Sequence, residues 1–226
     1  MIDRRAIQLT AAAMTLILLN ACHASTDDSA PTSPTPSVGM PHAPHLPDEV
    51  TARARLDELV VADPHRMDGY SRDAFDVWST QPGGCTTRQK VLAREGKRVV
   101  DRDGDCQPES GSWYSVYDDT TVTVVAQATI DHVVPLAEAW RSGADRWDAE
   151  RRRAFGNDLK DPQLIIASEA SNSSKSDSGP ADWKPENKAF WCTYAEDYIL
   201  VKHKFALTAT GDEVAALDDM LDTCTT

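Results

Sequence analysis

The sequence predicts an α+β domain stapled by disulfides, and three observations predict it. Residues 121–130 are rich in Val and Thr, the composition of a β-strand. Phe190, Tyr194, Tyr198, Val201 and Phe205 recur at steps of three or four, which marks 187–205 as an amphipathic helix with an aromatic core face. Cys85, Cys106, Cys192 and Cys224 can form two disulfides in a chain that begins like an exported protein.

The export reading rests on the N-terminus. Arg4 and Arg5 precede an apolar stretch over 6–19, shorter than the about 20 residues of a membrane-spanning helix, so 1–22 read as a signal peptide. Leu19-Asn20-Ala21-Cys22 resembles a bacterial lipobox, which would make Cys22 a lipidated N-terminus and the only link to the membrane. Plain secretion is the alternative. The cysteine count agrees: of five cysteines, a lipidated Cys22 leaves four to pair. Three connectivities remain open, and sequential pairing, Cys85 with Cys106 and Cys192 with Cys224, closes the shortest loops. Zinc is disfavoured because no Cys-x-x-Cys or Cys/His pair has usable spacing. Residues 23–47, rich in Ser, Thr and Pro, form a linker without core-forming residues, so His23, His42 and His45 are expected in solvent. Residues 48–226 then form one domain, expected to be monomeric.

A net charge of −13 speaks against broad affinity for nucleic acid. The charge is uneven, however. Residues 85–175 hold 13 Lys/Arg against 15 Asp/Glu, while 176–226 hold 4 against 10. A local basic groove in the middle of the chain stays compatible with this balance.

In chain order, 49–61 suits a helix with Val50, Ala54, Leu59 and Val61 as candidates for its buried face. Tyr70, Phe75 and Trp78 suit a short packed helix. Thr86 or Thr87 can cap a helix through Val91 to Arg94. Asp101-Arg102-Asp103-Gly104-Asp105 has glycine at the fourth position and Ser112 at the twelfth, so a turn is expected rather than a calcium loop. Trp113 to Tyr117 begin a strand, Asp118-Asp119 turn it, and 121–130 return as a hairpin. Short helices are expected over 136–141 and 147–155, the second carrying Arg151-Arg152-Arg153, of which at least one must face solvent or a phosphate. Residues 162–167 form a strand, and Ser168 caps a helix through Lys175. A last helix places Val214, Leu217, Leu221 and Cys224 on one face.

Asp131-His132 interrupts the apolar run at the strand end, just before Pro135, which cannot continue a ladder. Asn172 and Lys175, three apart, share one face of the helix that follows the next strand. Asp131 and Asn172 offer hard oxygens that suit one divalent cation, Mg2+ before Mn2+ or Ca2+. His132 beside it can accept a proton from an attacking water. That combination is what phosphodiester hydrolysis requires.

These residues carry a resemblance. Asp131-His132-Val133-Val134-Pro135 with Asn172-Ser173-Ser174-Lys175-Ser176-Asp177 resembles the ββα-metal motif of HNH endonucleases, in the variant with asparagine as the last ligand. From about Tyr70 to Cys224 the chain is similar to secreted bacterial HNH-family proteins that share their domain with the C-terminal part of GmrSD-type restriction enzymes. Cys85-Thr86-Thr87-Arg88, Trp140-Arg141-Ser142-Gly143-Ala144, Arg153-Ala154-Phe155-Gly156-Asn157-Asp158-Leu159, Pro180-Ala181-Asp182-Trp183 and Val201-Lys202 belong to the match. The resemblance implies a ββα-metal core with additional packed helices, a DNA substrate, His132 as general base, and Asp131 and Asn172 as metal ligands. It further implies that Asn157 braces the loop that orients His132 and that Lys175 contacts phosphate. Gly156 and Ser173-Ser174 depart from it, standing where related sequences often have Ala and Arg/Gly-type residues. A second reading keeps the fold and drops the chemistry, as a surface lipoprotein that only binds.

Overall fold

In the computed structural model residues 48–224 are described, so the signal peptide, Cys22 and the linker fall outside the described residues. Strands β1 (Lys97–Val100), β2 (Ser110–Ser115) and β3 (Thr120–Val122) form an antiparallel meander in that order. Strands β4 (Ala128–His132) and β5 (Leu164–Ser168) form a separate antiparallel pair, in register from Ala128↔Ser168 to His132↔Leu164. The helices are α1 (Glu49–Glu58), α2 (Thr87–Glu95), α3 (Leu136–Arg141), α4 (Ala149–Gly156), α5 (Glu169–Lys175), α6 (Trp191–Lys204) and α7 (Gly211–Leu221). The architecture is α+β with two disulfides, Cys85–Cys106 and Cys192–Cys224, paired sequentially with Cα separations of 5.6 and 5.0 Å.

The strand expected over 121–130 is divided. Only Thr120–Val122 returns along β2; a 3-10 turn over Val125–Gln127 then redirects the chain, and Ala128–His132 pairs with β5 instead. Burial explains the division. Val124 is exposed at the break, whereas β4 and β5 are covered on both faces, which suits the continuous apolar run of β5. On one face Ala128, Ile130, Leu164 and Ile166 meet Val91, Leu92 and Trp113. On the other, Ile165 and Ala167 join the main core of Tyr117, Tyr194, Tyr198 and Phe155.

Helix α6 is the aromatic helix the spacing predicts, with Tyr194, Tyr198 and Val201 fully buried. The buried face of α1 differs from expectation. Ala52, Leu56 and Leu59 face the core, while Val50 and Val61 are exposed and Ala54 is in solvent. Arg53 helps set that rotation by bonding Asp218 and Asp222 at α7, 2.7 and 2.8 Å away. The other local signals hold as capped elements. Thr86 forms a capping box with Gln89 at the start of α2, and Ser168 accepts from Ser171 N–H at the start of α5. The Asp101 carboxylate accepts from the N–H groups of Gly104 and Cys106, a turn next to the first disulfide.

The acidic groups of α6 make stability depend on pH. Glu196 is pushed up to about 7, first by burial and then by the nearby Asp48 and Glu49 carboxylates. Burial also raises Asp197, with Glu196 and Glu95 adding to it. Folded Glu196 therefore holds its proton more tightly than the unfolded chain. Its favourable contribution is complete below the unfolded value and disappears as pH rises through about 7. Glu196→Gln should raise the melting temperature at pH 8 and leave it close to wild type at pH 4, as thermal melts across that range would show.

Candidate active site

Successive residues of a strand point to opposite faces, and β4 uses this to separate its acid from its imidazole. Asp131 turns into the core: its Oδ2 accepts from the Tyr117 hydroxyl at 2.8 Å and pairs with Lys175 Nζ at 2.7 Å. Burial pushes the Tyr117 phenol well above its usual value, with Asp131 adding to it, so the hydroxyl stays a donor. His132 turns the other way, its ring centroid 5.4 Å from that of Trp78. Beyond β4 the chain is pinned by Gln163, whose buried amide accepts from Val134 N–H and donates to Val134 C=O. Pro135 then leads into α3.

Imidazole Nε2 of His132 lies 3.0 Å from the carbonyl oxygen of Gly156. A carbonyl only accepts, so Nε2 carries the hydrogen and neutral His132 presents a bare Nδ1. Burial pulls His132 down to about 3, with the Arg72 and Lys175 charges acting in the same sense against the Gly156 bond, so the ring is neutral at ordinary pH. Gly156 can approach because it lacks a side chain. A Cβ there would meet Phe75 O and Val77 Cγ1 at 3.0 Å. Alanine at this position would require the 75–77 segment to shift by a few tenths of an ångström.

Asn157 is a brace. Its side-chain oxygen accepts from Ser79 N–H at 2.9 Å and from the Thr87 hydroxyl at 2.7 Å, and its NH2 donates to the carbonyls of Asp76 and Arg153, both at 2.9 Å. The bonds to Asp76 and from Ser79 bracket Trp78, which holds φ at +62°, a left-handed conformation costly for a bulky side chain. Asn157 therefore fixes the turn whose indole covers His132, and it does so from behind the site.

A cleft of about 400 Å³ opens beside His132 and Asn172, lined also by Met67, Tyr70, Arg72 and Asp177. Lys175 does not reach it. Its ammonium is fully buried between Asp131 and the backbone carbonyl of His132, to which it donates at 2.8 Å. The phosphate contact expected of Lys175 is thus replaced by a structural tie, because the face of α5 that carries it packs on β4. Burial lowers its affinity for the proton, and the Asp131 carboxylate opposes that shift. The arginines of α4 meet the expectation that at least one faces solvent, since Arg151 and Arg153 are exposed. Arg151 donates to Phe205 C=O at 2.6 Å, Arg152 to Ala74 C=O at 3.2 Å, and Arg153 pairs with Asp76. Arg72 and Trp78 were not expected at the site; the sequence presents them only as an arginine among aromatics.

Of the two residues expected to ligate a hard divalent cation, the cleft offers one, Asn172. The bonds to Asp131 fall on Oδ2, leaving Oδ1 uncommitted among the described residues, and the Asn172 amide lines the cleft with its oxygen uncommitted as well. Asn172 faces the cleft, but Asp131 does not line it: its carboxylate is buried on the other face of β4 and paired with Lys175, so the two do not meet at one cation site. Among the described residues the one cluster of three His, Cys, Asp or Glu ligand atoms is Cys192, Glu196 and Cys224, whose sulfurs form a disulfide.

Strands β4 and β5 and helix α5 thus form a β-β-α unit beside a polar cleft. The chain belongs to the family of GmrSD restriction endonuclease C-terminal domains, whose family model matches residues 89–219. It is also 45% identical over 185 residues to an "uncharacterized secreted protein" of Arthroderma benhamiae, covering 82% of this chain and 90% of the relative. That relative is fungal, so it supports the family without the bacterial attribution. No solved structure matches the chain. Two disulfides require an oxidising compartment. With the secreted relative, they mark an exported protein.

The two roles for Lys175 make different predictions. Lys175→Met leaves Asp131 charged and unpaired in the core, and should cost about 3–5 kcal/mol of stability in denaturant titration. A surface lysine that only contacted phosphate would cost less than about 0.5 kcal/mol.

Proposed function

We propose that this protein is an HNH-type, metal-dependent endonuclease that hydrolyses phosphodiester bonds of DNA outside the cytoplasm. The observation that carries the reading is the Nε2 contact of His132 with Gly156 C=O, which commits Nδ1 to accepting a proton at a cleft shared with Asn172. A water held beside Nδ1 attacks phosphorus as its proton moves to the imidazole. The phosphorus–oxygen bond to the leaving nucleotide then breaks. A divalent cation, Mg2+ foremost, would be held at the cleft by Asn172 with water and the phosphate itself, and would supply charge stabilisation for the leaving oxygen.

The chain's own residues do the positioning. Lys175 fixes Asp131 and the peptide of His132 from within. Asn157 fixes the turn that places Trp78 on the ring. Tyr117 holds the second lone pair of Asp131 Oδ2, so that the carboxylate cannot swing. Lipidation at Cys22 would tether the activity to a membrane surface, and the domain acts as a monomer.

His132→Ala should abolish nicking of plasmid DNA while leaving the melting temperature within a few degrees of wild type, and EDTA should abolish it reversibly, with Mg2+ restoring it. Failure of the wild-type protein to cut with any divalent metal would sink the enzyme reading and leave the fold as a binding module.

A further inference from the structure

The cleft needs a cation that can reach a phosphate, and Lys175 is not that cation. Among the described residues that line the cleft, Arg72 is the one lysine or arginine. Nearby Arg141 is committed, its Nε to Glu138 at 3.0 Å and its Nη1 to Asp177 at 2.9 Å. Arg72 is exposed and has no ion-pair partner among the described residues, although the chain carries a net charge of −13. In so acidic a chain an uncommitted guanidinium at a cleft is a place for an anion.

Its position is built, not incidental. Arg72 opens a 3-10 turn, Arg72–Phe75, capped by the Ser71 side chain and anchored by the fully buried Phe75. Arg152 holds that turn from α4 through the carbonyl of Ala74. The guanidinium lies over the Trp78 ring, 6.0 Å from its centroid, and the same indole packs on His132. Stacking on an aromatic face orients an arginine while leaving its donor edge free. Asn157 in turn fixes Trp78. One network therefore places the base and the cation on the same wall of the cleft.

We propose that Arg72 binds the non-bridging oxygens of the phosphodiester that His132 addresses, making it a substrate-contacting residue contributed from upstream of the family-matched region at 89–219. This assignment rests on the nuclease reading for its substrate, and it adds the residue that recognises the phosphate. A guanidinium forms two parallel hydrogen bonds to a phosphate, which both neutralises and orients it. The basic groove that the charge distribution left open is then narrow, a single stacked arginine rather than a broad patch.

The test uses the purified full chain as wild type, Arg72→Gln and Arg72→Lys, with Arg66→Gln as a control. Arg66 is an exposed arginine paired with Asp68, outside the cleft lining. Binding of a fluorescent DNA duplex is measured by anisotropy in EDTA across a KCl series, and plasmid cleavage is measured in Mg2+. Arg72→Gln should lower the slope of log K against log salt by about 0.9. It should also reduce kcat/KM by about 10- to 100-fold, with an unchanged melting temperature. Arg72→Lys should recover the salt slope while recovering the rate only in part, since a lysine cannot make the paired contact. The control should match wild type in every readout.

An Arg72→Gln variant that binds with the wild-type slope and cleaves at the wild-type rate would overturn the assignment with the nuclease reading intact. If wild type binds duplex but cuts with no metal, the nuclease reading fails and the salt slope alone decides the role of Arg72. A wild-type protein that neither binds nor cuts refutes both.

Discussion

The buried ion pair of Lys175 and Asp131 is the constraint on which the site depends. Two charges removed from water are costly unless geometry and further hydrogen bonds compensate. Here the compensation is specific: Lys175 also donates to His132 C=O, and Asp131 also accepts from Tyr117. The pair therefore requires β4 and α5 to dock in one rotation and one register. With Lys175 inward, Asn172 on the preceding turn opens to the cleft, and the peptide of His132 is held by the same ammonium. A second fully buried lysine, Lys202, works alike in the helical half. It joins Glu138 of α3 to Glu213 of α7 at 3.1 and 2.8 Å. Burial alone would raise the Glu138 carboxyl, but Lys202, Ser142 and Arg141 together hold it below the usual range.

His132 is held from two directions by unrelated parts of the chain. Lys175 holds its backbone, and Gly156 holds its ring. Gly156 can do so because the end of α4 meets residues 75–77 almost backbone to backbone. Asn157, next in sequence, completes the junction by clamping both sides of the left-handed Trp78. A strained residue persists only where its neighbours over-determine it, and here one amide does that by bonding Asp76 C=O on one side of Trp78 and Ser79 N–H on the other. The outcome is an imidazole of defined tautomer under an indole lid.

Electrostatics divide the molecule in the same way. The arginines of α4 each have a partner, a backbone carbonyl for Arg151 and Arg152 and Asp76 for Arg153, while Arg151 and Arg153 stay exposed. The acidic C-terminal portion keeps Lys202 for its interior. Among the described residues that line the cleft, Arg72 is the one lysine or arginine. Disulfides take over part of the stabilisation in an oxidising compartment. Cys192–Cys224 ties α6 to the chain just beyond α7, and Cys85–Cys106 ties the start of α2 to the Asp101 turn.

Much of the frame was legible in the sequence, because its signals are local. The aromatic period of α6, the Thr86 and Ser168 caps and the disulfide partners depend on residues near each other or on loop length. The pair Asp131-His132 and the spacing of Asn172 from Lys175 likewise marked β4 and α5. Sequence alone put Asp131 and His132 side by side; only the pleat sends one into the core and the other to the cleft. It placed Lys175 at a phosphate, whereas tertiary packing buried the lysine; it also put at least one of Arg151-Arg152-Arg153 at solvent or phosphate, and Arg151 and Arg153 are exposed. The division of 121–130 into two strands was equally hidden, since strand composition does not name the partner strand. Composition and spacing determine which residues can do chemistry. Which face each one presents is decided by the burial of segments distant in the chain.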